Sequence, residues 1–275
     1  MKYEWMAVRV LPGTHRDAVL AALFGQGVQA VQEIDGGFTT SIPNASGADA
    51  LTNAVMTASS DARIDITPAP DVDWTKKWKE SVRSHDLGAL TVCPPWLAEG
   101  ADPTRTIVID PAMAFGTGEH QTTRGVLRLL QGVIRRGDRV ADLGAGSAVL
   151  AIGAAKLGAG AVIAIEIDPD AIANAEENIE RNGVGSQVMI IEGDAGLLLP
   201  LVAPVRVVTA NIISSVLLEI APSIARALTV DGQAILSGIL VAEREEMIAA
   251  LTSSGWVVER EDAEGAWWSV VIARA

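Results

Sequence analysis

Two short segments constrain the fold most. VIAIEI (residues 162–167) and VRVVTA (residues 205–210) are largely apolar at both odd and even positions. A strand with two apolar faces belongs in a sheet covered by helices on both sides, which is the environment of a parallel α/β sheet. The rest of residues 105–275 continues the pattern. Strands are predicted at Arg105–Ile109, Arg139–Leu143, Ala161–Glu166, Gln187–Glu192, Val205–Ala210, Gln233–Ser237, Trp256–Glu261 and Trp267–Ala273, with helices over 120–131, 147–158, 169–182, 213–227 and 241–253.

The remainder of the chain is organised differently. Residues 1–68 predict strands at Tyr3–Leu11, Val28–Ile34, Gly37–Ile42 and Arg63–Thr67, with helices over Thr14–Phe24 and Ala48–Ala58. That order, β-α-β-β-α-β, predicts a small α+β ferredoxin-like module. Residues 69–104 are punctuated by Pro70, Pro94, Pro95 and Pro103, as a linker would be. Three of the five lysines, Lys76, Lys77 and Lys79, lie there beside Trp74 and Trp78, whose spacing of four puts both rings on one helical face. Those rings either pack the linker onto a domain or border an inter-domain cleft.

Composition narrows the function classes. Lys plus Arg is 21 against 34 for Asp plus Glu, a formal net charge of −13. Nucleic-acid affinity rests on neutralising phosphates with Lys and Arg, so no direct nucleic-acid binding is expected. One cysteine, Cys93, rules out an internal disulfide or a cysteine zinc site, and no histidine cluster has metal-ligand spacing. The opening residues lack the apolar centre of a signal peptide, and the longest charge-free stretch around the glycine-rich region, Leu143–Ala155, is 13 residues against the roughly 20 of a membrane span. A cytoplasmic chain without a membrane segment is expected.

The chemistry concentrates in three places. In VADLGAGSAVL (residues 140–150) an apolar strand runs into a small-residue loop that opens a helix. Gly144 and Gly146 let main-chain N–H groups approach a ligand at a helix N-terminus. Glu166 follows at the end of the next strand, where a carboxylate can accept both hydroxyls of a ribose. A dinucleotide fingerprint needs a small residue at 149, where this chain has Val149; its small residue is Ala148, the spacing of S-adenosylmethionine sites. Taken alone the loop is also compatible with a plain tight connection. The second place is DPAMAFGTGEHQTT (residues 110–123), read either as a ligand loop or as a glycine-rich turn with capping threonines. The third is Asn211, directly after an apolar strand, which either meets a substrate amine or the cofactor, or caps the next helix.

These segments, with AEENIERNGV (residues 175–184), ANIISSVLLEIAP (residues 210–222) and the linker segment DWTKKWKES (residues 73–81), occur in an order and spacing that resemble the ribosomal protein L11 methyltransferase family. The resemblance covers nearly all of residues 70–275. It implies a Rossmann-like seven-stranded S-adenosylmethionine methyltransferase domain (105–275), preceded by a ferredoxin-like substrate-recognition domain (1–68) and a linker (69–104). It further implies S-adenosylmethionine as cofactor, and ribosomal protein L11 as substrate, methylated on lysines or its N-terminal amine. Carried over residue by residue, the cofactor positions fall on Thr123, Gly144, Gly146, Glu166 and Asn211, with Phe115 where the family's loop closes and Asn211 also positioning the reactants. Asp194, in EGDAG, is a secondary candidate near the adenine. Two departures stand out: Ala148 where glycine is usual, and Gln121 where H-P-T-T has proline.

No Ser/His/Asp or Cys/His arrangement stands out, as suits a reaction whose activated carbon comes from a cofactor. His120 is read as structure at the start of a helix rather than as a catalyst, and His15 as a surface residue. A monomer is expected, since a small substrate-binding module is carried in the same chain. The competing readings are a methyltransferase of the same fold acting on another protein, a nicotinamide enzyme, and a cofactor-binding protein that has lost turnover.

Overall fold

The structure, a computed structural model, describes residues 5–28, 30–43, 47–69, 82–110, 116 and 118–275. Phe115, Thr117, the three linker lysines, Trp74 and Trp78 lie outside the described residues. The chain divides into two compact units, Met1–Glu80 and Ser81–Ala275.

The smaller unit follows the order expected of it. Strands β1 (Trp5–Leu11), β2 (Gln32–Ile34), β3 (Gly37–Pro43) and β4 (Arg63–Pro68) form an antiparallel sheet in the order β2-β3-β1-β4, with helices α1 (Arg16–Gly25) and α2 (Ala48–Ala58). Alternation along β1 buries Val8 and Val10 beneath Val19 and Leu23 of α1 and Leu51 and Val55 of α2. Each strand faces the helices with every second residue, so one face of the sheet is covered. Only Gln32–Ile34 of the expected strand Val28–Ile34 is extended.

In the larger unit, residues 82–104 are more than a connector. Strands β5 (His85–Asp86), β6 (Thr91–Cys93) and β7 (Thr106–Val108) make a separate three-stranded sheet. Leu90, Val92, Ile107 and Ile109 are buried in the same core as the helices that follow. The strand expected over 105–109 therefore does not enter the main sheet. Its nearest partner in sequence, Thr91–Cys93, takes its ladder in parallel register.

The main sheet has seven strands: β8 (Arg139–Leu143), β9 (Ala161–Glu166), β10 (Val188–Glu192), β11 (Val205–Asn211), β12 (Leu228–Leu240), β13 (Trp256–Glu264) and β14 (Trp267–Arg274). Their order is β10-β9-β8-β11-β12-β14-β13. The first five run parallel, and β14 is antiparallel to both of its neighbours. Chain order reverses between β8 and β11, which opens a crevice at the carboxyl ends of the strands there.

The two-faced apolar strands behave as their composition requires. Val140, Val207, Ile235 and Val271 join one core with α3 (Gln121–Leu130), α4 (Val149–Lys156) and α5 (Pro169–Arg181). Their sequence neighbours Ala141, Val208, Leu236 and Val270 join the other, with α6 (Ala195–Val202), α7 (Ser214–Ala227) and α8 (Arg244–Ser253). Helix α6, with Pro200 inside it, has no counterpart in the sequence reading. Its start is capped by Asp194, which accepts from Leu197 N at 3.0 Å. Among the described residues no helix is long and apolar enough to cross a membrane.

One buried ion pair ties the start of β8 to β11. Arg206 Nε donates to Asp138 Oδ2 at 2.7 Å with both side chains nearly enclosed, and Arg206 also donates to the Val133 carbonyl. Removing one partner strands the other charge away from water. Asp138→Ala is therefore expected to cost about 3–5 kcal/mol in equilibrium urea denaturation. A loss below about 1 kcal/mol would give the pair no more weight than an exposed one.

Candidate cofactor site

The site grows from the end of β8. Three residues of the following loop have positive φ: Gly144 (68°), Gly146 (50°) and Ala148 (63°). Gly144 N and Ala145 N both donate to the Ile165 carbonyl, at 2.9 and 3.1 Å, and so pin the loop to β9. A Cβ on Gly144 would stand 2.7 Å from Ile212 Cγ2, so glycine is required for space as well as for conformation. Both glycine N–H groups that the sequence suggested would face a ligand are bonded within the chain, Gly144 N to the Ile165 carbonyl and Gly146 N to Glu166 Oε2.

Glu166 ends β9 and is 8% exposed. Its Oε2 accepts from Gly146 N at 2.7 Å, and its Oε1 from Ile167 N at 2.9 Å and Asp168 N at 3.0 Å. A carboxylate offers about four acceptor positions, so capacity remains for one more donor. Through these bonds the carboxylate joins the glycine loop to the residues that follow β9.

Asn211, at the end of β11, donates through Nδ2 to Thr123 Oγ1 at 3.5 Å, with Thr123 fully buried in the first turn of α3. The structure thus brings two sequence-predicted residues together from 88 positions apart. Thr123, Gly144, Gly146, Glu166 and Asn211 lie on the loops and helix that meet the carboxyl ends of β8, β9 and β11.

His120 caps α3, accepting from Thr122 N at Nδ1 (3.4 Å), with the Thr122 hydroxyl 2.7 Å from the same nitrogen. Burial, and then the positive charge of Arg124, hold its pKa below the ordinary histidine value, which suits a ring that must accept there. Trp267 meets His120 edge-on at 5.0 Å, while its neighbour Trp268 is buried on the other face with Nε1 on Glu261 at 2.8 Å. Gln121 occupies the first helical position after an extended residue (His120 ψ 137°), the backbone that a proline there would also require.

Three residues escaped the sequence reading as site components. Asp142 is fully buried, accepts from Thr209 Oγ1 at 2.6 Å and from Ala151 N at 3.1 Å, and is pushed up to about 6 by burial, with the charge of Glu166 adding to the rise. Ser147 and Asn178 are also fully buried, and a polar residue inside an apolar helix stripe is the signal that could have found Asn178. Among the described residues no group of side chains could hold a metal ion.

Two outcomes are expected from this geometry. A left-handed alanine costs about 1–2 kcal/mol, and the buried methyl group contributes about 0.8 kcal/mol. Ala148→Gly should therefore raise stability by up to about 1 kcal/mol, and a lowered melting temperature would refute strain at this position. For Asp142 the folded pKa lies above the unfolded one (about 6 against 3.8). The native state then holds a proton that the unfolded chain releases, and stability from this group is lost as pH rises from 4 through 6. The deficit of Asp142→Asn relative to the parent should shrink by up to about 3 kcal/mol between pH 4 and pH 7. A pH-independent deficit would show that Asp142 titrates normally.

Comparison with known proteins agrees with this arrangement. The sequence profile of the ribosomal protein L11 methyltransferase family (PrmA) matches residues 19–275. A ribosomal protein L11 methyltransferase of Pelotomaculum thermopropionicum is 41% identical over 197 residues, covering 71% of this chain and 63% of that protein. One from Chloroflexus aurantiacus is 37% identical over 226 residues, covering 74% and 69%. The matched stretch thus spans about two thirds of these relatives' own length. A crystal structure of ribosomal protein L11 methylase from Lactobacillus delbrueckii subsp. bulgaricus superposes with a TM-score of 0.62 at 31% identity, covering 70% of this chain and 98% of that one. The chain belongs to the ribosomal protein L11 methyltransferase family.

Proposed function

We propose that this chain is an S-adenosylmethionine-dependent methyltransferase. Its substrate would be ribosomal protein L11 or a similar basic protein, methylated on lysine side chains, the N-terminal amine, or both. The observation that carries this reading is the meeting of the positive-φ loop 144–148, Glu166 and the Asn211–Thr123 pair at the strand ends, in a member of this family.

The residues present fit the cofactor. Glu166 would take a ribose hydroxyl at its remaining acceptor position, and Gly144 and Gly146 would offer backbone without a Cβ in the way. Thr123 and Asn211 would line the site from the β11 side, while Phe115 and Asp194 stay with the family's pattern. When bound, S-adenosylmethionine supplies a methyl carbon activated on a sulfonium. The chain's own residues orient. Asn211 spends one Nδ2 donor on Thr123, and its Oδ1 would serve as acceptor for a substrate amine. An amine must arrive unprotonated, and a lysine pKa of ~10.4 has to fall, by desolvation within a closed crevice. Aligning amine and methyl group can contribute several kcal/mol, with about 7–11 kcal/mol as the upper range for well-oriented reactions.

The smaller module, expected over 1–68, would recognise the substrate, and the catalytic part, expected over 105–275, takes in the packed segment 82–104. A monomer working in the cytoplasm fits this division. An enzyme with a net charge of −13 meeting a lysine-rich partner gains in encounter rate.

The test is calorimetric titration with S-adenosylmethionine, followed by transfer of tritium from the labelled cofactor to purified ribosomal protein L11. Glu166→Ala should weaken cofactor binding about 10- to 100-fold, the loss expected of hydrogen bonds to a charged group. Binding of a nicotinamide dinucleotide in place of S-adenosylmethionine would overturn the reading. Binding without transfer to any protein would leave a cofactor-binding protein instead.

A further inference from the structure

The loop 144–148 has a second set of bonds, directed away from Glu166. The Ser147 hydroxyl donates to the Gly116 carbonyl at 2.8 Å, and the Ser147 carbonyl accepts from Asn178 Nδ2 at 3.3 Å. Asn178 Oδ1 in turn accepts from Asp110 N at 3.0 Å and from Arg181 Nη1 at 2.5 Å, and Arg181 also reaches the Asp110 carboxylate at 3.6 Å. Asp110 and Gly116 are the two ends of DPAMAFG. Both are therefore tied to one residue of the glycine loop, Gly116 directly and Asp110 through Asn178.

The two buried ends of this loop find separate partners. Ala151 is the third residue of α4, where an N–H has no acceptor within the helix, and it donates to Asp142 Oδ2 at 3.1 Å. The Ser147 carbonyl, one residue before the cap of α4 and on a fully buried residue, needs a donor, and the Asn178 amide supplies it. Asn178 is itself fully buried on α5, so its polar atoms have no water to fall back on. Gly116 sits close enough that a Cβ would meet Ser147 Oγ at 3.0 Å.

We infer that Ser147 and Asn178 are positioning residues that fix the glycine loop, tying it to Gly116 and, through Asn178, to Asp110, so that cofactor affinity depends on an asparagine outside the cofactor-binding set. This inference rests on the cofactor reading above and goes beyond it by naming what fixes the loop. Asn182, the residue that ends the same helix, provides an internal control; its Nδ2 also donates to the Asn178 carbonyl, at 2.8 Å. Asn182 accepts from Val108 N at 2.9 Å and donates to the Val108 carbonyl at 2.7 Å, and it makes no bond to the glycine loop among the described residues.

The experiment compares Asn178→Ala with Asn182→Ala in the full chain, by calorimetric titration with S-adenosylmethionine, thermal melting, and KM for the cofactor against kcat. Asn178→Ala should weaken the cofactor Kd and raise its KM about tenfold with kcat changed far less, as loss of a positioning hydrogen bond implies. Asn182→Ala should lower the melting temperature comparably yet leave Kd within about twofold. If Asn178→Ala melts below the assay temperature, Asn178→Asp serves in its place, since it keeps volume and the acceptor for Asp110 and Arg181 but loses the donor to Ser147 and to Asn174 Oδ1. Equal Kd in the Asn178 variant and the parent, or equal losses in the Asn178 and Asn182 variants, would overturn the inference while leaving the cofactor reading intact. A parent chain that binds no S-adenosylmethionine would overturn both.

Discussion

Asp142 has no exposed surface, yet its two oxygens join three elements of the larger unit. Its residue belongs to β8, Oδ1 takes the hydroxyl of Thr209 from β11, and Oδ2 takes the main chain of Ala151 from α4. Those are the two strands between which chain order reverses and the helix that opens behind the glycine loop. With these three fixed, the positive-φ turn at 144–148 has one path to follow. Glu166 from β9 and Asn211 from β11 then converge on it from opposite sides. A neutral hydrophobe at 142 would fill the space but would leave the Ala151 N–H and the Thr209 hydroxyl without acceptors in a dry interior.

Much of the larger unit's fold was legible because parallel sheets impose a plain code. Val207 and Val208, or Ile235 and Leu236, must both be apolar when neighbouring residues enter different cores. The candidate site was legible for a related reason. Gly144, Gly146 and Glu166 lie at strand ends, where an apolar run breaks at small or charged residues, and that break is visible without a structure. Asn211 stood out as a polar residue directly after an apolar strand and Thr123 as part of DPAMAFGTGEHQTT, but their roles came from the family pattern, since nothing local says that positions so distant touch.

What stayed hidden depends on partners that sequence does not name. The segment 82–104 has proline punctuation like a connector, yet Leu90 and Val92 find cover only when Ile107, Leu127 and Gly153 are folded around them. Asp142 read as the end of a strand, because burial and the loss of its ordinary acidity arise from Thr209 and α4. Asn178 looked like one polar residue among several in AEENIERN, since its role depends on a carbonyl 31 residues away. His120 and Gln121 show the opposite case, where the extended backbone before α3 could be anticipated from the motif.

Asn182 carries a consequence for the molecule's behaviour among its own copies. Strand β7 pairs with β6 on one side only, and a short strand with free main-chain groups on the other side invites a foreign strand to add to it. The carboxamide of Asn182 bonds both the N–H and the carbonyl of Val108, as a neighbouring strand would. A single side chain thereby ends the ladder. The residue that ends the helix holding the loop thus also closes the β7 edge of this sheet to an added strand.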